Sequence, residues 1–192
     1  MLLIGSAPSP YVRRIRLFLH GKDCTFMDLN IYSPEGREVL RKYTPAMKIP
    51  VLVDGDTTIF DSRVIHRYAA EKVGEPALNW HQENLLSMVD AVNDSFVILA
   101  LSKRSGINID DDLLLMNLQK ERIKQTLQLL EDAAAKGDFD HWDYPAICLY
   151  SLVDWVIFRE LTDFSPYPAL LAFHAKNSTL EAAKATDPRT AA

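Results

Sequence analysis

The sequence predicts a two-domain chain, with an α/β domain over residues 1–74 followed by an all-helical domain over residues 80–192. Three observations carry this. Short apolar runs alternate with helix-period stretches as far as Gly74. No strand pattern returns after Asn79. From there to about Leu161, apolar residues recur at steps of three and four, the spacing of helices buried on one face.

In the first domain, Leu2–Ile4 reads as a buried strand, and the prolines and serines of Ser6–Pro10 mark a loop. Val12, Ile15, Phe18 and Leu19 then lie on one face of a helix. Ser9 suits its N-cap, Pro10 its first position and Gly21 its end. Thr25–Leu29 reads as a second strand and Pro34–Tyr43 as a second, less regular helix. Val51–Val53 and Thr57–Phe60, joined by Asp54-Gly55-Asp56, form a hairpin. A helix capped by Asp61 or Ser62 runs to Gly74. The order β-α-β-α-β-β-α describes a mixed sheet covered by helices. After a linker over Glu75–Asn79, one long helix carries Leu85, Val89, Val92, Phe96 and Leu99, and another carries Leu118, Ile123, Leu127 and Leu130. The nearly all-apolar stretch from Pro145 to Leu161 reads as the central helix of a bundle. A short helix spans Pro166–Ala175, and residues 179–192 read as a final turn and a loose tail.

Composition narrows the function. A net charge of −5, from 21 basic and 26 acidic residues, disfavours a nucleic-acid partner. No apolar run of about 18–20 residues is evident, so no membrane association is expected. The start, MLLIGSAPSP, has no basic stretch ahead of its apolar residues and reads as a strand, not a signal peptide. Two distant cysteines, Cys24 and Cys148, fit a reducing compartment, and a cytoplasmic location is expected. His20, His66, His81, His141 and His174 show no metal-ligand spacing, so no metal is expected.

Three local patterns carry chemistry. Ser9-Pro10-Tyr11-Val12 sits where the first strand hands over to the first helix. Unpaired N–H groups and the helix dipole favour an anion there. A free thiol has a pKa of about 8.5, and lowering it by ~2 units takes roughly 2.7 kcal/mol. A serine hydroxyl and a helix terminus together supply that order of energy. No histidine near Ser9 in sequence serves as its base, so donating a hydrogen bond to another molecule's thiolate is the better chemical role; plain helix capping is the alternative. Lys48-Ile49-Pro50 precedes a strand. With a cis bond, Ile49 offers its backbone to an extended peptide; an ordinary trans loop proline is the alternative. Asp61-Ser62 opens the helix after the hairpin. Ser62 with backbone N–H groups suits a carboxylate and Asp61 an ammonium, against routine capping by both.

Taken together, a thiolate site, a peptide-pairing edge and an amino-acid head-group site are the three things glutathione needs. The phrases GSAPSPYVRRIRLFL and TPAMKIPVLVDGDTTIFDSRVIHRYA, with the late apolar helix ending Trp155-Val156-Ile157-Phe158-Arg159, resemble the glutathione S-transferase family, and most of all its bacterial serine-type members. The resemblance implies a thioredoxin-like N-terminal domain and an all-helical, substrate-binding C-terminal domain. It implies Ser9 as the catalytic thiol-contacting residue, Ile49 and the cis-proline Pro50 at the peptide edge, Asp61 and Ser62 at the γ-glutamyl end, and Lys48 near the glycyl carboxylate. Glutathione would be the co-substrate, a small electrophile the second substrate and the homodimer the assembly, with Asp90 or Asp94 of the first long helix near the dimer interface. A non-catalytic interaction protein of the stringent-starvation-protein type is the alternative. Two departures from the family pattern stand out. Met47 replaces the glycine of the usual N-P-x-G-K, and Ala146 stands where the core helix's capping box has Asp, with Asp143 at the cap.

Overall fold

A computed structural model describes residues 1–190, which divide into two compact units, residues 1–78 with 179–190 and residues 79–178. In the first unit, β1 (Leu2–Gly5), α1 (Pro10–Phe18), β2 (Thr25–Asp28), α2 (Pro34–Tyr43), β3 (Val51–Asp54), β4 (Thr57–Phe60) and α3 (Ser62–Val73) follow one another, and α8 (Glu181–Ala185) returns to it from the end of the chain. This is a thioredoxin-like arrangement. The sheet order is β2-β1-β3-β4, with β1 parallel to β2 and antiparallel to β3, and β3 antiparallel to β4.

The two faces of the sheet are covered by different helices. Ile4 and Val51 form a buried cluster with Leu40 of α2. Strand alternation turns Leu3 and Leu52 the other way, toward the layer in which α1 and α3 pack on each other. The close approach of α1 to β1 requires a glycine, because a Cβ at Gly5 would lie 2.4 Å from Val12 Cγ2. Gly36 answers to the same constraint in α2, where a Cβ would lie 1.9 Å from the Asn30 carbonyl oxygen.

The second unit is all-helical: α4 (Trp80–Arg104), α5 (Leu114–Ala135), α6 (Tyr144–Phe158) and α7 (Pro168–Asn177). A reciprocal capping box starts α4, in which Asn79 accepts from Gln82 N–H at 3.0 Å and Gln82 accepts from Asn79 N–H at 3.0 Å. Every residue of α6 from Tyr144 to Val156 is buried, as befits a helix apolar on all sides. Asp143 caps it by accepting from Ala146 N–H at 3.1 Å. Ser151 lies inside α6 and donates to the Ile147 carbonyl at 2.8 Å, and Asp154 pairs with His174 of α7 at 2.8 Å. The missing partner at Ala146 therefore leaves the start of α6 in place.

Two expectations need correction. Over the described residues 179–190 the expected tail is neither loose nor part of the helical unit, and its last two residues lie outside the described residues. Residues 181–185 form α8, Ala183 and Thr186 are buried, and Arg13 of α1 holds the carbonyl of Ala183, so this segment belongs to the first unit. Helix α4, at 25 residues, is also long and apolar enough to cross a membrane by length and composition. Its Leu85, Leu86, Val89, Val92 and Phe96 are buried and it packs on α5 and α6, which is how the core helix of a bundle behaves.

Candidate functional site

Register brings the three candidate segments to one end of the sheet. Ile4 lies opposite Val51, so the loop leaving β1 toward Ser9 and the Ile49–Pro50 segment entering β3 share an end. Val51 also lies opposite Phe60, so Asp61 and Ser62, which follow β4, emerge there as well. Gly5 pairs with Asp28, which adds the end of β2 to the same edge. There the Asp28 carboxylate accepts from Ala7 N–H at 2.9 Å, and Leu29 N–H donates to the Gly5 carbonyl at 2.8 Å. Nothing in the sequence marked Asp28 for this role, since only the pairing of β1 with β2 puts it beside the loop.

Ser9 is the N-cap of α1. Its hydroxyl oxygen accepts from Val12 N–H at a long 3.4 Å, and its carbonyl accepts from Arg13 N–H at 2.9 Å. Capping uses a lone pair of the hydroxyl and leaves its proton to donate elsewhere, so the structural and chemical roles of Ser9 are compatible. No acidic residue lies in the first turn of α1, so nothing there opposes the positive end of the helix dipole.

The Ile49–Pro50 bond is cis. Ile49 is half-buried, packs against the Ile4–Leu40–Val51 cluster, and stands outside the β3 ladder, which begins at Val51. Lys48 is exposed. Met47 has φ +54°, so the position where Met replaces glycine is one that favours glycine. The loop keeps its left-handed residue, and the Met47 side chain joins the partly buried residues packed on that cluster.

Asp61 has φ +78° and ψ +127°, a conformation L residues avoid, and it caps α3 from that position. One oxygen, Oδ1, accepts from both Arg63 N–H at 2.9 Å and Val64 N–H at 3.3 Å. Ser62, 5% exposed, is the first residue of α3. Asp61 thus engages the N–H groups of Arg63 and Val64 at this helix start.

Comparisons with known proteins bear on the fold that carries these segments. A model of the glutathione S-transferase N-terminal domain matches residues 3–77. The crystal structure of a glutathione transferase family member from Pseudomonas fluorescens Pf-5, with bound S-(propanoic acid)-glutathione, aligns at a TM-score of 0.80 and 26% identity, covering 98% of this chain and 99% of that one. The chain has the glutathione S-transferase fold. A glutathione S-transferase from Methylobacillus flagellatus KT, solved with glutathione bound, shares that fold at a TM-score of 0.84 and 21% identity over 96% of this chain and 98% of its own. In sequence, the uncharacterized GST-like protein YibF of Escherichia coli K12 is 26% identical over 172 residues, 84% of each chain. The glutathione S-transferase fold explains why the three segments converge, since its thioredoxin-like unit gathers them from separate strand ends.

Proposed function

We propose that the chain binds glutathione on its first unit and ionises the thiol for attack on a small electrophile. The single observation that carries this is the strand register, which brings Ser9, Ile49–Pro50 and Asp61–Ser62 to one end of one sheet. Ser9 donates its hydroxyl proton to the thiolate at the start of α1, where the helix dipole adds to the stabilisation. The Ile49 backbone pairs with the cysteinyl part of the tripeptide, Asp61 takes the γ-glutamyl ammonium, and Ser62 takes its carboxylate. Lys48 is assigned to the glycyl carboxylate. In the reaction, the thiol gives its proton to water and the sulfur forms a bond to the electrophilic carbon, which releases its leaving group or accepts the electron pair by addition. The structures from Methylobacillus flagellatus, with glutathione bound, and from Pseudomonas fluorescens, with a glutathione conjugate bound, support the choice of tripeptide.

The proposal extends to a bacterial serine-type transferase, cytoplasmic and homodimeric, whose helical unit supplies the surface for the second substrate. Fold analogy leaves the electrophile unnamed, because conjugation, peroxide reduction, dehalogenation and isomerisation occur on the same scaffold.

Ser9→Ala tests the chemistry. Losing a hydrogen bond to a charged group removes about 1.5–3 kcal/mol, so turnover should fall roughly 10- to 100-fold while glutathione affinity changes little. Steady-state kinetics with a chlorodinitrobenzene, alongside calorimetric titration with glutathione, separates the two. Equal turnover in the variant removes Ser9 from the mechanism. Glutathione binding without turnover in the native chain turns the assignment toward the interaction-protein alternative.

A further inference from the structure

The first turn of α1, where the thiol site is assigned, is held from behind by α8 and Thr186. Arg13 is one turn along α1 from Ser9 and its N–H donates to the Ser9 carbonyl at 2.9 Å. Its side chain is 2% exposed and runs to α8. There Nη2 donates to the Ala183 carbonyl at 3.1 Å, and Nε donates to Thr186 Oγ1 at 3.4 Å. The Thr186 hydroxyl donates in turn to the Ala182 carbonyl at 2.8 Å. These acceptors lie at the negative end of α8, where Thr186 N–H takes the Ala182 carbonyl and the guanidinium takes that of Ala183, so Arg13 helps to cap that end.

The dependence runs in both directions. A helix of five residues does not hold itself, and α8 stands because Arg13 caps it and Ala183 is buried. Conversely, α8 supplies acceptors to a buried cation that is costly to leave unpaired. If α8 were lost, Arg13 would lose the Ala183 and Thr186 acceptors, and the backbone that carries it is the first turn of α1. At the neighbouring residue, the contact of Val12 with Gly5 fixes the approach of α1 to β1. Val12 against Gly5 and Arg13 against α8 thus both hold the turn that follows Ser9.

We propose that the C-terminal segment over residues 179–190, through Arg13 and Thr186, positions the start of α1 for the thiolate, so that Arg13 and Thr186 are positioning residues for the glutathione thiol. This rests on the glutathione assignment above.

The test uses Thr186→Val, close to isosteric, together with Arg13→Lys, which keeps the charge but not the two-pronged reach. The first readout is the pKa of the bound glutathione thiol, followed by the ultraviolet absorbance of the thiolate against pH. The others are kcat and KM for glutathione and the thermal midpoint. In the full chain the bound thiol should titrate well below free glutathione. In the variants it should titrate about one unit higher, with kcat near neutral pH about tenfold lower, KM little changed, and kcat regained at alkaline pH, where the thiol ionises unaided. Variants that fold and titrate the thiol as the full chain does overturn the proposal. A loss of activity that tracks lost stability and is not recovered at high pH also overturns it, since that is a purely structural role. A full chain that binds glutathione without lowering its thiol pKa, or does not bind it, overturns the glutathione assignment and this proposal with it.

Discussion

Met47 and Asp61 both stand at positive φ without being glycine, and each is over-determined by its surroundings. At Met47 three terms compete. The left-handed backbone costs about 1–2 kcal/mol for an L side chain, half-burying a methionine contributes about 1 kcal/mol, and glycine's extra freedom in the unfolded chain costs about 0.5–1 kcal/mol. Met47→Gly loses packing but relieves the backbone, whereas Met47→Ala loses packing and keeps the strain. Urea midpoints should therefore rank native, then Met47→Gly, then Met47→Ala; an alanine variant as stable as the glycine one would show the backbone is unstrained. His66 is a second residue under constraint. It is 4% exposed, edge-on to Phe18 at 4.7 Å, and burial, aided by the charge of Arg67, pushes its imidazole from 6.5 down to about 4. Folding favours the neutral ring, so this contribution is fully present above pH 6.5 and is lost as pH falls from 6.5 toward 4. The loss reaches about 3 kcal/mol at ~1.4 kcal/mol per pH unit. Denaturant titrations across that range should show His66→Leu losing less stability on acidification than the native chain, and parallel curves would sink the assignment.

At the scale of elements, helix starts are secured in more than one way. Ser9, Ser33, Asp61, Asn79 and Asp143 are local caps, each accepting from an N–H two or three residues on. Helix α7 has no such cap, and Tyr167 offers it no side-chain bond. Instead Glu131 of α5, 8% exposed, reaches across so that Oε1 accepts from Ala169 N–H at 2.8 Å and Oε2 from Leu170 N–H at 2.9 Å. This carboxylate ties two helices together while satisfying two orphan donors. Glu131→Gln turns one acceptor into a donor facing an N–H, and should cost about 2 kcal/mol, the order of a lost charge-assisted bond. Chemical denaturation and amide exchange over residues 168–171 would measure it, and a change below about 0.5 kcal/mol, ordinary for a neutral surface substitution, would show α7 needs no such cap.

At the scale of the whole molecule, binding and stability are linked. If the first unit holds glutathione only when folded, a 100-fold excess over Kd adds about 2.7 kcal/mol, roughly 5–10 °C in Tm for a chain of this size. A thermal scan at rising glutathione should show that increase in the native chain and in Ser9→Ala alike, whereas an unmoved midpoint would remove glutathione as the ligand. Much of this protein was legible from the chain alone. Pro10, Pro34, Gly74, the Asp54-Gly55 turn and the three-and-four spacing of Leu85, Val89, Val92 and Phe96 act within a few residues of themselves, and the observed elements begin and end close to where those residues place them. Ser9, Pro50 and Asp61 were likewise visible as types, because caps and X-Pro bonds have local signatures. What the tertiary structure alone decided were pairings between residues far apart in the chain. It set Asp28 on the Ala7 amide, Glu131 on the start of α7, and Arg13 on an α8 that read as a loose tail. Each joins a polar group to a backbone atom at least 21 residues away, so neither partner leaves a periodic or local mark. Local propensity is written into neighbouring residues, but the satisfaction of distant donors and acceptors exists only once the chain has folded.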